Sequence, residues 1–266
     1  SWRPALWLYG SLGLLVAGWF WLVVRDRPQL HPRCNAAEIE LITGQPEPKL
    51  TDDVGSIPWS DIVRSPSLWL SSLSQIGVNI GWLFIGTWFP TYLMEQHQVP
   101  ILQRGVMITV PLIAGFPGML LGGLVTDKLV SVVGVRWARR LPWIVSKMIA
   151  VLAFAISPQL ESAWLVTAMM ATVAFCVDFG NPSTWAFTQD VGGKHVGSIL
   201  GFGNMWGNLG AAVSPILLIW ISVHYSWNHM FYTCAVLFIL STICSFFIDA
   251  ATPVIRADRE QGVSSE

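Results

Sequence analysis

The stretch Gly122–Arg140, GGLVTDKLVSVVGVRWARR, connects two apolar runs and carries four basic side chains. About 20 consecutive apolar residues are needed to cross the roughly 30 Å of hydrocarbon in a bilayer. Lysine and arginine accumulate in the cytoplasmic loops between such spans. The stretch therefore predicts a cytoplasmic connection between two membrane-spanning helices, over residues 105–126 and 141–158.

Further apolar runs lie on both sides of this pair, and they predict seven spans in all. The spans cover residues 5–24, 67–94, 105–126, 141–158, 162–188, 196–222 and 229–249. If the loop after the first span is cytoplasmic, thirteen of the fifteen basic residues lie at or near that face. These are Arg25, Arg27, Arg33, Lys49, Arg64, Lys128, Arg136, Arg139, Arg140, Lys147, Lys194, Arg256 and Arg259. This bias predicts an all-α, multi-pass membrane protein whose central loop and carboxyl terminus are cytoplasmic.

The composition agrees with a membrane protein and argues against several other classes. Hydrophobic residues make up 53% of the chain and charged residues only 12%, against about 25% charged residues in soluble domains. The net charge is −1 and no block of like charge occurs, so nothing indicates a nucleic-acid partner. The four cysteines form no CxxC pair and the five histidines are scattered. Neither a metal site nor a cofactor is therefore predicted.

The spacing of the spans predicts four regions. Residues 1–24 read as the last helix of an amino-terminal bundle, and residues 25–65 as a central cytoplasmic loop with one short helix at Ala36–Thr43. Residues 66–252 are expected to form a compact six-helix bundle, followed by a tail at 253–266. Seven is an odd number, which suggests that a further amino-terminal part precedes this sequence. The six bundle helices divide into two sets of three in opposite orientation, as an inverted repeat requires.

Two of the predicted spans carry polar side chains on one helical face. Gln75 and Asn79 are four residues apart, as are Asn204 and Asn208 on a glycine-rich span, and residues i and i+4 lie on the same side of a helix. Polar groups within hydrocarbon usually face a bundle interior or a water-filled cavity. These residues therefore either line a substrate path or form hydrogen bonds between helices.

A third polar cluster lies in CVDFGNPSTWAFTQD, where Asp178 is near the middle of its span. Gly180 and Pro182 are expected to interrupt the helix there and to expose backbone groups. Asp178 is a candidate proton carrier; alternatively, it is neutral and bonded to a neighbouring helix, or paired with Lys147. Lys147 lies nearer the cytoplasmic end, where a long side chain can extend toward the interface, and it is expected to be a packing or interface residue.

Several motifs carry a family resemblance. Gly123, Asp127 and Lys128, with the arginines that follow, resemble the signature loop of the major facilitator superfamily, in the copy between helices eight and nine. TWFPTYL (Thr87–Leu93), and NPSTWAFTQD followed by GSILGFGNMWGNLGAAVSP, resemble its anion:cation symporter branch. This branch includes bacterial sugar-acid transporters and sialin-like carriers. The resemblance implies helix 6, the central loop and the carboxyl-terminal six-helix bundle of a twelve-helix transporter.

The resemblance also implies roles for individual residues. Gln75, Ser183 or Thr184, Trp185 and Asn204 match positions that bind substrate hydroxyl groups, and we add Asn79 and Asn208 from the helical faces above. Gly123, Asp127 and Lys128 match a conformational latch at the cytoplasmic helix ends. The carboxylate-binding and proton-coupling residues belong mainly to the amino-terminal half, and Asp178 matches none of them.

The function expected from this resemblance is proton-coupled symport of a sugar acid or related carboxylate by alternating access. Its partners would be the small anion, H⁺, the lipid bilayer and the amino-terminal half, in a bacterial inner or plasma membrane. One alternative is a membrane-embedded enzyme, which would need a nucleophile, a base or a metal cluster at one membrane depth. Another is a transporter-like sensor that does not transport.

Overall fold

The computed structural model describes residues 2–25, 28–43 and 57–254, which divide into two compact units, Ser1–Val54 and Gly55–Glu266. Much of the predicted central loop and nearly all of the predicted tail at 253–266 lie outside the described residues. So do four of the basic residues assigned to the cytoplasmic face, namely Arg27, Lys49, Arg256 and Arg259.

The first unit contains the amino-terminal span and a short helix. Helix α1, Arg3–Val23, has a proline in its first turn and buries no side chain. A 3₁₀ turn at Pro28–Leu30 follows, and then α2, Ala36–Thr43, as the sequence predicts. Asn35 Oδ1 accepts a hydrogen bond from the Glu38 N–H at 2.8 Å, and Glu38 Oε2 accepts one from the Asn35 N–H at 3.1 Å. This reciprocal capping fixes where α2 begins.

The second unit is a bundle of long helices. It begins with α3, Trp59–Arg64, and α4, Pro66–Leu83. Directly after α4 come a π-helix at Phe84–Trp88 and then α5, Phe89–Glu95. Helix α6, Ile101–Ile156, and α7, Ala163–Gly192, are joined through Ser157–Gln159. After a 3₁₀ turn at Gly193–His195 come α8, Val196–His224, and α9, Trp227–Phe247.

Five helical stretches in the described part of the chain are long and apolar enough to cross a membrane. Two of them, Ile101–Gln159 and Ala163–His224, contain 59 and 62 residues, and a 59-residue helix would extend roughly 88 Å. Each is broken at a glycine with positive φ, Gly134 (78°) and Gly193 (50°). Each stretch thus accommodates two predicted spans, and the predicted all-α membrane fold is confirmed. We refer to residues 101–133 and 135–156 as the first and second segments of α6.

Small residues allow these helices to approach closely. A Cβ atom on Gly118 or Gly122 of α6 would collide with the carbonyl oxygens of Phe175 or Phe179 on α7. On α8, a Cβ on Gly210 would lie 2.7 Å from the Ile76 carbonyl oxygen of α4. Backbone contact of this kind is how helices pack in lipid, where apolar side chains gain little by association. It fixes the height of α6 relative to α7 and of α4 relative to α8.

Phenylalanine rings fill the centre of the bundle. Phe84 contacts Phe154 and Phe231 edge to face, with ring centroids 6.1 and 4.8 Å apart, and Phe154 contacts Phe238 at 5.3 Å. All four rings are fully buried. Edge-to-face pairs of this kind add stability beyond the buried area. This core connects the π-helix that follows α4 to the second segment of α6 and to α9. Helices α4, α6 and α9 supply part of the cavity described next.

Candidate substrate cavity

A cavity of about 310 Å³ lies between α4, the second segment of α6, α7, α8 and α9. Its wall consists of Ser74, Gln75, Val78, Asn79, Trp82, Trp143, Ser146, Lys147, Cys176, Val177, Asp178, Gly180, Asn181, Thr184, Trp185, Asn204 and Phe238. The wall combines amide and hydroxyl groups with aromatic rings and two charged side chains. Such a mixture suits a small polar molecule rather than an apolar one.

The amide side chains of α4 reach this cavity because α8 has no side chain in their way. A Cβ atom on Gly203 would lie 2.8 Å from Gln75 Nε2, and one on Gly207 would lie 2.6 Å from Asn79 Nδ2. Both distances are below van der Waals contact. Asn79 lines the cavity, and among the described residues its side chain makes no hydrogen bond. Both its donors and its acceptor therefore remain available to a ligand.

Asp178 and its neighbours occupy the α7 side of the cavity. Asp178 Oδ1 accepts a hydrogen bond of 3.0 Å from Asn181 Nδ2, and its Oδ2 lies against Gly115 on the first segment of α6. The ion pairs in the described ranges do not include Asp178, so the pairing with Lys147 considered above is not observed. Asp178 is instead held by an amide on its own helix.

Helix α7 is continuous through this cluster, and the expected interruption at Gly180 and Pro182 is wrong. Pro182 lies inside Ala163–Gly192, which remains helical on both sides of it. A proline removes one helical hydrogen bond, yet helices in membranes tolerate this where neighbours pack around the site. Gly180 packs against Trp143, because a Cβ atom on this glycine would lie 3.2 Å from the indole Cδ1.

Two residues expected in the site point elsewhere. Ser183 is fully buried, and its hydroxyl lies 2.7 Å from Thr126 Oγ1 on the first segment of α6. Asn208 is exposed, does not line the cavity, and donates a hydrogen bond of 2.9 Å to the Asn204 carbonyl oxygen. Of the alternatives Ser183 and Thr184, the cavity wall includes Thr184, together with Trp185.

Lys147 was expected to be a packing or interface residue, and the structure shows that it is 6% exposed and lines the cavity. Its ammonium group donates to Ser74 Oγ on α4 and to Ser245 Oγ on α9, the latter at 2.7 Å. It also lies 4.8 Å from the centre of the Trp143 ring. The hydroxyl groups that hold it come from positions 73 and 98 residues away, so local sequence does not indicate this role.

The predicted latch residues do not interact with one another. Asp127 and Lys128 are exposed, and nothing lies within 4 Å of a Cβ built on Gly123. The ion pairs in the described residues join Arg139 to Asp190 and Arg136 to Asp249. The latch at Gly123, Asp127 and Lys128 therefore stays a prediction.

Comparison with known proteins identifies the fold. Residues 1–215 match the family model of the Major Facilitator Superfamily. The chain belongs to the Major Facilitator Superfamily. Together with its apolar helices, this makes it an integral, multi-pass membrane protein. Over the described residues no group of three or more His, Cys, Asp or Glu side chains could hold a metal ion.

Named members of the superfamily resemble the chain over most of its length. It is 30% identical to the "Probable galactarate/D-glucarate transporter GudP" of Escherichia coli (strain K12), over 82% of this chain and 50% of that protein. It is 26% identical to the "Probable sulfoacetate transporter SauU" of Cupriavidus necator, over 98% of this chain and 61% of that protein. It is 23% identical to the chloroplastic "Ascorbate transporter" of Arabidopsis thaliana, over 91% of this chain and 45% of that protein. The chain thus spans about half the length of the curated relatives it matches.

Proposed function

We propose that this chain forms one wall of the substrate path in a secondary transporter of small organic anions, and that it is not an enzyme. The substrate is a sugar acid or related carboxylate, moved together with protons as the two halves of the transporter alternate in access. The other wall is supplied by an amino-terminal six-helix half. Transport of this kind requires a binding site at the interface of the two halves near the middle of the membrane.

The polar cavity is the observation that carries this proposal. Its volume of about 310 Å³ lies at the lower end of the range for small-molecule sites, about 300–1,000 Å³. Gln75, Asn79, Thr184 and Asn204 line this cavity. Their amide and hydroxyl groups offer donors and acceptors that match the hydroxyl groups of a sugar acid. Such groups are costly within apolar helices unless they face a cavity or a ligand.

Two exposed residues of the cavity wall support the presence of a second half of the transporter that faces this wall. The cavity residues Trp185 and Asn204 are both exposed, although each lies in a helix of a stretch apolar enough to span a membrane. A polar side chain in that position is favourable only if it faces water or protein rather than lipid. The relatives whose names include galactarate, D-glucarate, sulfoacetate and ascorbate support an organic anion as the substrate.

Proton coupling is part of the proposal because it limits the electrical cost of moving an anion. Moving one charge across the membrane costs about 2.3 kcal/mol per 100 mV, and a co-transported proton offsets it. Asp178 is the carboxyl group in the cavity wall, and we assign it as the candidate proton carrier of this half. We also propose a bacterial inner or plasma membrane location, with the central loop and carboxyl terminus cytoplasmic.

The test is uptake by the full-length protein in proteoliposomes, with labelled galactarate, D-glucarate and sulfoacetate. We expect uptake of at least one anion, stimulated by an inward proton gradient and abolished by a protonophore. Uncharged galactitol serves as the control and should not be taken up. If folded protein takes up none of the three anions, the proposal is wrong. If the rate of uptake is the same with and without the proton gradient, only the proton coupling is wrong.

A further inference from the structure

Lys147 is the cationic side chain in the cavity wall, and it is held in a fixed position by three helices. It extends from the second segment of α6 and donates to hydroxyl groups on α4 and α9. Its ring contact with Trp143, at 4.8 Å, is a cation–π interaction. A lysine in a membrane helix normally extends toward the aqueous interface, whereas this one is 6% exposed within the bundle.

The hydroxyl groups around Lys147 are arranged to accept from it. Ser74 Oγ donates to the Ser241 carbonyl oxygen at 3.2 Å, and Ser245 Oγ donates to the same oxygen at 2.8 Å. With both protons directed toward that carbonyl, the lone pairs of both hydroxyl groups remain for the ammonium group. An ammonium group has three N–H donors, and these two bonds use two of them.

This arrangement solvates the cation but does not neutralise it. The ion pairs in the described ranges, Arg136–Asp249 and Arg139–Asp190, do not include Lys147. Asp178, the other charged residue of the wall, bonds to Asn181. A buried charge without a counter-ion is strongly unfavourable. A counter-ion that arrives with the ligand would remove that penalty, and the cavity is where it would bind.

We propose that Lys147 binds a carboxylate group of the transported anion, with its third N–H donating to a carboxylate oxygen. This inference rests on the proposed function and deepens it, because it places the negative end of the substrate. The carboxylate lies at the end of the cavity formed by Ser74, Trp143 and Lys147. The substrate hydroxyl groups then face the amides of Gln75, Asn79 and Asn204. Because the ammonium group is fixed before the ligand arrives, little side-chain entropy is lost on binding.

The test compares a dicarboxylate with its uncharged diamide in the purified full-length protein. Binding of galactarate and of galactaric acid diamide is measured by calorimetry for wild type, Lys147→Met and the control Lys194→Met. Methionine is an unbranched apolar side chain, and replacing a buried charge by such a residue is often tolerated. Lys194 is exposed in the turn between α7 and α8, so its replacement should change neither affinity.

A carboxylate–ammonium contact predicts unequal losses. Lys147→Met should weaken galactarate binding about 10- to 100-fold, the range of a hydrogen bond between charged groups. The diamide should lose far less, because it has no carboxylate for the ammonium group to bind. Equal losses for the two ligands, or no loss for galactarate, would overturn the carboxylate role while leaving the transporter assignment intact. If wild type binds neither ligand, this inference is overturned, and the uptake of the three labelled anions decides the proposed function separately.

A second measurement needs no variant. A small amine-reactive reagent should label Lys147 in the wild-type protein, and mass spectrometry reports the modified peptide. Saturating galactarate should protect Lys147 and leave the labelling of Lys194 unchanged. Labelling of Lys147 that is the same with and without bound galactarate would overturn the proposal.

Discussion

The guanidinium group of Arg139 binds the carboxylate of Asp190 at two points, with Nε–Oδ2 at 2.7 Å and Nη2–Oδ1 at 3.4 Å. The pair connects the start of the second segment of α6 to the end of α7. The two side chains are 12% and 27% exposed, so solvent screens the pair only partly. Two-point pairing gives this contact a defined geometry that most surface ion pairs lack.

Asp190→Asn should therefore destabilise the bundle by about 1 kcal/mol, the upper end for partly exposed ion pairs. Thermal unfolding of the purified protein in detergent measures the change. The loss should be smaller in a background that already carries Arg139→Gln, because the two changes remove the same interaction. Strictly additive losses would show that Asp190 and Arg139 stabilise the fold independently.

Gly207→Ala should weaken ligand binding more than it lowers stability. The new methyl group would lie 2.6 Å from Asn79 Nδ2, and this amide can rotate away, which removes it from the cavity. We expect affinity for the transported anion to fall about tenfold, the equivalent of one lost hydrogen bond of roughly 1.4 kcal/mol. Gly201→Ala on the same helix is the control, since nothing lies within 4 Å of its Cβ position.

Gly210→Ala should lower stability more than it weakens ligand binding, which is the reverse of the effect expected for Gly207→Ala. Its methyl group would lie 2.7 Å from the Ile76 carbonyl oxygen, and backbone cannot rotate away as a side chain does. Overpacking of this kind typically costs about 1–3 kcal/mol. A lower unfolding temperature is expected, together with ligand affinity per folded molecule close to wild type. An unchanged unfolding temperature would show that α4 and α8 can separate at no cost.

Substitutions of polar residues should distinguish the cavity from the interfaces between helices. Gln75→Ala and Asn204→Ala remove groups that line the cavity and should each lower affinity several-fold, with normal expression. Ser183→Ala removes the 2.7 Å contact with Thr126 and should cost about 1 kcal/mol of stability without changing affinity. Equilibrium binding and thermal unfolding report the two effects separately. Affinity loss in Ser183→Ala alone would reverse the assignment of Ser183 and Thr184.

Asp127→Asn tests the predicted latch. Asp127 is exposed in this structure, so its expected role is in another conformation of the transport cycle, beside basic side chains or a helix end. The rate of uptake in proteoliposomes should fall while equilibrium binding of the anion is retained. A variant with wild-type uptake would remove Asp127 from the transport cycle.

The sequence predicts the helices better than it predicts their rotation about their own axes. Apolar runs of bilayer length give the spans. Adjacent positions such as Ser183 and Thr184 differ by about 100° around a helix, so which one faces the cavity depends on neighbours that are distant in sequence. The same limit explains Asn208, which is four residues from Asn204 on the same side of the helix but does not line the cavity.

Lys147 shows a second reason why local sequence patterns do not predict which side chains line the cavity. Its position toward the cytoplasmic end of its span suggested a packing or interface residue, because a long side chain there can carry its charge to the interface. Ser74 and Ser245 offer a competing set of acceptors, and they come together only when α4 and α9 pack beside α6. Serine residues in apolar helices are too common for these two to be singled out from the sequence.

The three arginines that follow Gly134 bear on the insertion of the protein into the membrane as well as on the packing of its helices. Arg136, Arg139 and Arg140 stand at i, i+3 and i+4 of one helix, and each contacts a different acceptor, namely Asp249, Asp190 and the Ile248 carbonyl oxygen. In the proposed orientation these charges stay on the cytoplasmic side during insertion, before any helix has found its neighbours. In that orientation the same arginines would first favour one direction of insertion and would then connect α6 to α7 and to the residues directly after α9, so that biogenesis and assembly depend on one set of residues.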